Sequence, residues 1–340
     1  MTRRGRWILT CGATVAVLAA AVVAVGAGDR AQEPTVVVRS MPPPAGVVVQ
    51  GLPNEGIAVE DGDAVVFLTV HGEVVQRLEG LGLGPAPALG GDILLQRRDG
   101  RYAVDRHTGA LRRLSHENDV PLAPGARLVL DDASNRFDFE VSDDRDIVTH
   151  TSGSNDDNAV AYDVRTGNVR LLPVGCRVAD RHDAAWFLVC ENRETWMSSI
   201  VRLDADDTTT VLAESRDWWE AVMVSPDGRR FLTTVTYDCA PPKVFVGSTT
   251  TPNAVKGLGA AMGADEEPDA IALGWTADGA PVFTAAGSCG PPLLAPGVYA
   301  FDGKTVRTIY ATSVDEDWTA AAMWTRPPRP QPASISSRRS

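Results

Sequence analysis

The chain has 340 residues and a formal net charge of −12 at pH 7, although both of its ends are basic. This acidic excess argues against a nucleic-acid-binding protein and against direct docking on anionic lipid, because both need a surplus of Lys and Arg. It fits a protein that stays soluble outside the cell, or one that binds a basic partner.

The first residues have the pattern of a segment that enters a membrane. Arginines at positions 3, 4 and 6 precede an uncharged stretch over residues 7–28. A helix over residues 8–28 would be about 31 Å long, close to the thickness of the hydrocarbon core of a bilayer. We therefore predict that residues 1–31 form a signal anchor or a cleaved signal peptide, and the length of the stretch favours the anchor. The rest of the chain would lie outside the cytoplasm, on a single-pass cell-membrane protein or as a secreted one.

Two proline-containing segments flank the central part of the chain. Residues 32–50 include the run MPPPAG and predict an extended linker. Residues 326–340 are rich in Pro, Arg and Ser and have no apolar periodicity, so we expect a disordered tail. Residues 51–325 remain as the expected folded domain.

The central residues contain short β-branched runs separated by Gly, Asp, Asn and Pro, a pattern typical of many short antiparallel strands. The runs AVDRHTGALRRL (103–114) and AYDVRTGNVRLL (161–172) share a Thr-Gly pair that predicts a hairpin turn. Looser copies bring the predicted hairpin turns to six, near residues 71, 107, 166, 205, 248 and 303. Their mean separation of about 46 residues is that of a four-stranded propeller blade.

Two further repeats indicate how the blades are arranged. VSPDGRRFLTTVTYDC (224–239) parallels WTADGAPVFTAAGSC (275–289), and DWWEAVMVS from Asp217 parallels DWTAAAMWT from Asp317. The last copy stops after one strand, whereas the first repeat, about residues 55–80, has only three. The C-terminal strand is therefore expected to complete the first sheet and protect its edge. We predict an all-β, six-bladed β-propeller, with seven blades as the alternative if residues 40–55 and 80–130 contain another sheet.

The phrase VSPDGRRFL resembles the repeat of TolB-like, or more broadly WD40-like, β-propellers, in which Ser-Pro-Asp-Gly forms the turn between the first two strands of a blade. Only Ser225–Gly228 is an intact copy, and Thr276–Gly279 is a degraded one. The resemblance extends over about residues 50–325 and implies the fold alone, since these residues shape a turn and contact no ligand. No functional residues carry over.

Four cysteines lie outside the predicted anchor, an even number that suits disulfide bonds in an oxidising compartment. Three pairings are possible. We predict Cys239–Cys289, because both occupy the same place in neighbouring repeats, and Cys176–Cys190, because they would lie on neighbouring strands of one blade. No C-x-x-C or Cys/His spacing supports metal binding instead.

Residues with evident chemistry are few. The chain has no G-x-S-x-G, H-E-x-x-H or Walker motif, and no catalytic residue is predicted. The run SGSNDDN offers Asp156, Asp157 and Asn158 as weak candidate ligands for calcium, which prefers several oxygen ligands. The same residue types are common in ordinary turns, so no cofactor is expected beyond this candidate.

The tryptophans are expected to divide between packing and binding. Trp275 and Trp324 occupy one register of the repeats and are expected to fill the space between blades. Trp218 and Trp219 are the weak ligand-binding candidates, because adjacent residues of a strand face opposite ways and cannot both be buried on one face.

The function that these patterns favour is a non-catalytic scaffold. Such a propeller would bind a protein or peptide on one face of the ring, because loops from all blades converge there, and would contact the membrane through its N-terminal helix. The alternative is a propeller-type hydrolase, lyase or lactonase with a metal site in the central channel. No Asp, Asn, Glu or His recurs at equivalent strand positions to support that alternative.

Overall fold

The computed structural model describes residues 37–325 with internal gaps. The described residues are 37–40, 42, 45, 46, 48–84, 93–105, 108–114, 120, 121, 126–129, 139–141, 147–150, 158–164, 166–192, 194–237, 240–285, 294–312 and 321–325. The predicted N-terminal helix and the predicted tail lie outside them and stay predictions. Within these ranges, no helix is both long and apolar enough to cross a bilayer.

The described residues are almost entirely β-structure, with one short helix, α1 (Leu258–Met262). The strands are, in chain order, β1 (Val37–Ser40), β2 (Glu55–Asp61), β3 (Ala64–Thr69), β4 (Val74–Glu79), β5 (Gly82–Leu83), β6 (Ile93–Arg97), β7 (Gly100–Val104), β8 (Leu111–Arg113), β9 (Val120–Pro121), β10 (Ala126–Val129), β11 (Phe139–Val141), β12 (Ile147–His150), β13 (Asn158–Asp163), β14 (Val169–Val174), β15 (Cys176–His182), β16 (Ala185–Asn192), β17 (Met197–Leu203), β18 (Thr209–Ser215), β19 (Trp218–Val224), β20 (Arg230–Tyr237), β21 (Ala240–Ser248), β22 (Val255–Gly257), β23 (Ala270–Trp275), β24 (Pro281–Ala285), β25 (Gly297–Phe301), β26 (Val306–Ala311) and β27 (Ala321–Thr325).

These strands form antiparallel sheets of consecutive strands, as expected of a β-propeller. Six sheets have four strands, in the orders β27-β2-β3-β4, β5-β6-β7-β8, β11-β12-β13-β14, β15-β16-β17-β18, β19-β20-β21-β22 and β23-β24-β25-β26. First strands of neighbouring sheets contact each other along the series β11, β15, β19, β23 and β27. The sheets are therefore arranged side by side around a common centre.

The six predicted hairpins are confirmed, and each joins the third and fourth strands of one four-stranded sheet. The Thr-Gly turn shows why the sequence forms them. Asp163 Oδ1 accepts a hydrogen bond of 3.1 Å from Thr166 N, and Asp163 O accepts one of 2.8 Å from Gly167 N. Gly167 has a φ of 73°, a backbone conformation that residues with a side chain rarely adopt. The turn is thus specified by residues that lie within four positions of one another.

The predicted closure by the C-terminal strand is confirmed. β27 pairs antiparallel with β2, and Ile57 lies opposite Met323. Trp324 is fully buried, and its Nε1 donates a hydrogen bond of 3.3 Å to the carbonyl of Pro53. The first sheet therefore contains strands from both ends of the folded region, and its inner edge is covered.

A seventh sheet has three described strands and draws on the segment that we expected to be a spacer. Val37–Ser40 pairs antiparallel with β10, which pairs in turn with β9. Further along, Val49 is buried and its N–H donates a hydrogen bond of 2.7 Å to the carbonyl of Gly109. The folded structure thus begins before residue 51, because residues 37–40 add a strand to one edge of β10.

Apolar side chains fill the spaces between neighbouring sheets, as predicted for the repeated tryptophans. Trp275 is buried in a cluster with Met223 and Leu232 of the preceding sheet and Phe283 of its own. Its Nε1 donates a hydrogen bond of 2.8 Å to the carbonyl of Met223. The ring therefore joins two sheets both by burial and by a directed polar contact.

Candidate functional site

The two ends of the sheets differ in character. Connections between first and second strands, and between third and fourth strands, lie at one end, which holds the Ser-Pro-Asp-Gly and Thr-Gly turns. The other end, here called the loop end, holds the connections between second and third strands and those between sheets. Its described connections include residues 194–196, 216–217 and 258–269. Function is more often carried by such irregular connections than by tight turns.

The predicted Cys176–Cys190 disulfide is confirmed and lies at the loop end. The two residues are directly opposite each other on β15 and β16, and they are bonded. In the same row across the sheet, Cys190 lies opposite Ser199, and Ser199 opposite Glu214. The crosslink therefore fixes the loop end of this sheet. Cys239 and Cys289 lie outside the described residues, so their pairing stays a prediction.

Trp218 and Trp219 face opposite ways, as predicted. Trp218 is 54% exposed, whereas Trp219 is 5% exposed. The Nε1 of Trp219 donates a hydrogen bond of 3.2 Å to the carbonyl of Ser198 in the preceding sheet. Its ring meets that of Phe245 edge-on, with centroids 6.1 Å apart and planes inclined at 85°. Trp219 is thus a fixed inter-sheet residue, and Trp218 is the one presented to solvent.

Trp196 is a second exposed tryptophan, and the sequence analysis did not single it out. It lies in the connection between β16 and β17, is 70% exposed and has a φ of 55°. Asn192 holds this connection in shape, because its Oδ1 accepts hydrogen bonds of 3.0 Å from the N–H groups of Glu194 and Thr195. A tryptophan that follows a run of polar residues, shortly after an Asn that can form such a turn, is the signal that could have found it.

The two exposed tryptophans lie at the same end of the same pair of sheets. Ser198 lies opposite Ser215 across β17 and β18. Trp196 precedes Ser198 by two residues, and Trp218 follows Ser215 by three. Large exposed aromatic side chains held at one edge are suited to contact with another macromolecule.

A cleft of about 310 Å³ lies between this pair of sheets. It is lined by Ala213, Glu214, Ser215, Asp217, Trp219, Val235, Phe245, Asn253 and Val255. The rings of Trp219 and Phe245 give it an aromatic wall, and Asp217 lies beside that wall. Its volume is at the lower end of the range for small-ligand sites, so it suits a side chain or a small molecule.

Hydrogen bonds fix the groups around this cleft. The Ser215 hydroxyl donates to Asp217 Oδ2 at 3.1 Å and accepts from Asp217 N–H at 2.9 Å. Asn253 N–H donates to the carbonyl of Leu212 at 2.7 Å, which ties the two sheets together. Asp217 is therefore held in a fixed position at the cleft.

The calcium candidates are not placed by the structure. Asp156 and Asp157 lie outside the described residues, and only the backbone of Asn158 is described. Across the part of the chain that is described, no three or more His, Cys, Asp or Glu side chains are grouped so that they could hold a metal ion.

Comparisons with known proteins give similarity to solved structures only. No protein-family model matches the chain, and no curated protein does. A putative TolB from Agrobacterium tumefaciens is 14% identical, with 79% of this chain and 98% of that chain covered and a TM-score of 0.40. TolB from Acinetobacter baumannii is 13% identical, with 79% and 66% covered and a TM-score of 0.46. The β-propeller domain of Cps50 (Swd1) from Myceliophteria thermophila is 12% identical, with 74% and 96% covered and a TM-score of 0.41. The chain therefore resembles TolB-like and WD40-like β-propellers at the level of the fold alone.

Proposed function

We propose that the protein is a non-catalytic β-propeller scaffold that acts outside the cytoplasm, anchored in the cell membrane or secreted, and binds a protein or peptide at its loop end. The observation that carries this proposal is the pair of exposed tryptophans, Trp196 and Trp218, at one end of neighbouring sheets. Tryptophan is enriched among the residues that dominate binding energy at protein interfaces.

The proposal includes a ring of seven blades. The three-stranded sheet formed by β9, β10 and β1 lies in chain order between two four-stranded sheets. Counting it as a blade gives seven, the alternative to the six blades first expected. Among the described residues, this sheet has no hairpin between a third and a fourth strand, and for that reason a count of hairpin turns gives six.

Site-specific photocrosslinking in the native membrane tests the binding surface. A photoreactive phenylalanine analogue is placed at position 196 or at position 218 of the full chain. The matched control position is 304, because Lys304 is exposed in the β25–β26 turn at the opposite end of the sheets. We expect one defined protein to be crosslinked from positions 196 and 218 and not from position 304.

Purified components then give the strength of the interaction. The double substitution Trp196→Ala with Trp218→Ala should weaken binding of the crosslinked protein by about tenfold or more, as for residues that dominate an interface. Lys304→Ala should leave it unchanged. Crosslinking from position 304 instead, or binding unaffected by loss of both tryptophans, would overturn the proposal.

A further inference from the structure

We infer that the loop end faces the membrane, and that the partner bound at Trp196 and Trp218 is a protein embedded in that same membrane. The inference rests on the proposed function in its membrane-anchored form. It adds the side from which the partner approaches and the class of protein to which the partner belongs.

The chain enters the three-stranded sheet at the loop end. β9 is the first strand of this sheet in chain order, and first strands begin at the loop end, as β19 does after residues 216–217. β10 runs antiparallel to β9, and β1 runs antiparallel to β10. β1 therefore also begins at the loop end, where Val37 lies opposite Val129.

Little chain separates the predicted anchor from β1. Residue 31, the expected end of the anchor, precedes Val37 by six positions. A segment of that length spans at most about 20–22 Å when it is fully extended. The strands β15 and β16, of seven and eight residues, are about 25 Å long. For the opposite end to face the bilayer, this short segment would have to run back along the sheet, whereas a direct path holds the loop end near the bilayer.

The two exposed tryptophans lie at this same end. Trp196 is 70% exposed in the connection between β16 and β17, and Trp218 is 54% exposed at the start of β19. Their surface is therefore directed toward the bilayer, at a distance that the segment before Val37 limits. The extracytoplasmic segments of membrane proteins occupy that space. Attachment of both proteins to one membrane also raises their effective concentration for each other.

The charges around the tryptophans favour a protein over the lipid itself. Glu194 is exposed before Trp196, and Glu220 is exposed after Trp218. Among the described residues of 190–222, Arg216 is the only exposed Lys or Arg. Insertion of the two rings into a bilayer would bring the carboxylates against the lipid headgroups, and anionic headgroups repel them. A protein surface can satisfy the rings and the carboxylates together.

Energy transfer tests which end faces the bilayer. A fluorescent coumarin amino acid replaces residue 196, 218 or 205 of the full chain, held in lipid nanodiscs with an acceptor dye on the headgroups. Ala205 is the matched control, because it is exposed in the β17–β18 turn at the opposite end of the sheet that precedes Trp218. Transfer should be about twofold or more greater from positions 196 and 218, because the two ends lie about 25 Å apart. Equal or greater transfer from position 205 would overturn the inference.

The class of the partner is tested on the protein crosslinked from positions 196 and 218. After its identification by mass spectrometry, the uncrosslinked form in the same membranes is washed with alkaline carbonate, which strips peripheral proteins. We expect it to stay in the bilayer, and peptide mapping should place the crosslinked residue beside one of its membrane-spanning segments. Release of the partner by carbonate would show that it is peripheral, and the inference would be wrong.

Lipids with brominated acyl chains, which quench tryptophan fluorescence, test direct contact with the bilayer. The full chain is compared with the variant that carries Trp196→Phe and Trp218→Phe, in vesicles without a partner. We expect the same quenched fraction in both proteins. A larger quenched fraction in the wild type would place these rings in the lipid, and a membrane protein would then not be their partner.

The two proposals can fail separately. If a peripheral or secreted protein is crosslinked and needs both tryptophans, the binding surface stands and the membrane partner is wrong. The same holds if N-terminal sequencing of the native protein shows that the anchor has been removed. If energy transfer places the loop end at the bilayer but nothing is crosslinked from positions 196 and 218, the proposed scaffold function is wrong, and the inferred partner is wrong with it.

Discussion

Trp324, in the last strand, packs against Phe67 in β3, with ring centroids 6.1 Å apart and planes inclined at 58°. Both side chains are fully buried in the cluster that joins the first sheet to the second. Residues from opposite ends of the folded region thus share one core, and the ring closes through this contact.

Removal of the Trp324 side chain should therefore destabilise the whole fold. We expect Trp324→Ala to lower the free energy of unfolding by about 3–5 kcal/mol, the usual cost of a large cavity in a core. Urea unfolding followed by circular dichroism measures the change. Trp196→Ala is the matched control, since that ring is 70% exposed, and should change stability by about 0.5 kcal/mol or less. Similar losses for both would contradict closure through Trp324.

The same contact explains why residue 56 is glycine. A Cβ at Gly56 would lie 2.1 Å from Trp324 Cζ2 and 2.7 Å from the carbonyl oxygen of Leu68. Gly56→Ala should thus destabilise the protein by about 1–3 kcal/mol through overpacking. In Gly56→Ala combined with Trp324→Ala the two losses should be less than additive, because the second change removes part of the overlap. Additive losses would show that the two residues do not interact.

Gly167→Ala is the comparison for Gly56→Ala, because the expected loss of stability has a different cause. A Cβ at Gly167 would meet no atom within 4 Å, but its φ is 73°. The substitution should cost about 1 kcal/mol from backbone strain alone. Gly167→Asn should recover part of that cost, since Asn tolerates left-handed conformations better than Ala. The midpoints of urea unfolding of the two variants give the difference, and no recovery would contradict this cause.

The Cys176–Cys190 bond should stabilise the fold mainly by restricting the unfolded chain. It closes a loop with a sequence separation of 14, for which the chain-entropy model gives about 3 kcal/mol. Cys176→Ser with Cys190→Ser should lower the free energy of unfolding by that amount, measured in urea without reductant. Peptide mapping without reduction should recover a 176–190 crosslink, and it also tests the predicted 239–289 bond. A 190–239 crosslink would contradict both.

Two carboxyl groups should give opposite pH dependences. The Arg77 guanidinium, by its hydrogen bond, holds the pKa of Asp61 below its ordinary value of 3.8. The stability from Asp61 is therefore present above pH 3.8 and lost as the pH falls through the lower folded pKa. Burial raises the pKa of Glu55 above its ordinary value of 4.5. The stability from Glu55 is thus present below pH 4.5 and lost as the pH rises through the higher folded pKa.

Thermal unfolding between about pH 3 and pH 7 checks these signs. The Tm advantage of the wild type over Asp61→Asn should shrink as the pH falls, and it should reflect about 1 kcal/mol or less, because the ion pair is near the surface. The Tm of the wild type relative to Glu55→Gln should fall as the pH rises. The same direction for both variants would contradict the assigned pKa shifts.

Features encoded by neighbouring residues could be predicted from the sequence. In the Ser-Pro-Asp-Gly turn, the Ser225 hydroxyl donates to Asp227 Oδ1 at 2.6 Å, and Thr276 makes the same contact with Asp278 in the degraded copy. Such contacts recur wherever the same short turn sequence recurs. The strands, the hairpins and the equivalence of the repeats could therefore be predicted from these short sequences. The opposite orientations of Trp218 and Trp219 followed in the same way from the geometry of a strand.

Features that join distant residues could not be predicted in this way. Val37 lies opposite Val129, and no short sequence motif around either residue indicates that the two would pair. The pairing of residues 37–40 with this sheet was therefore not predicted, although a further sheet within residues 40–55 and 80–130 was the stated alternative. The cleft also depends on how two sheets lie against each other, which brings Asn253 of one sheet to Leu212 of the other. Periodicity in the sequence carries no information on that placement.

The pairing of β27 with β2 has a consequence for biosynthesis. While the chain emerges from the ribosome or a translocation pore, the edge of β2 stays uncovered until residues 321–325 have appeared. A chain that still lacks β27 thus offers this edge to other strands, so its production should depend on chaperones that shield the edge until β27 has been synthesised.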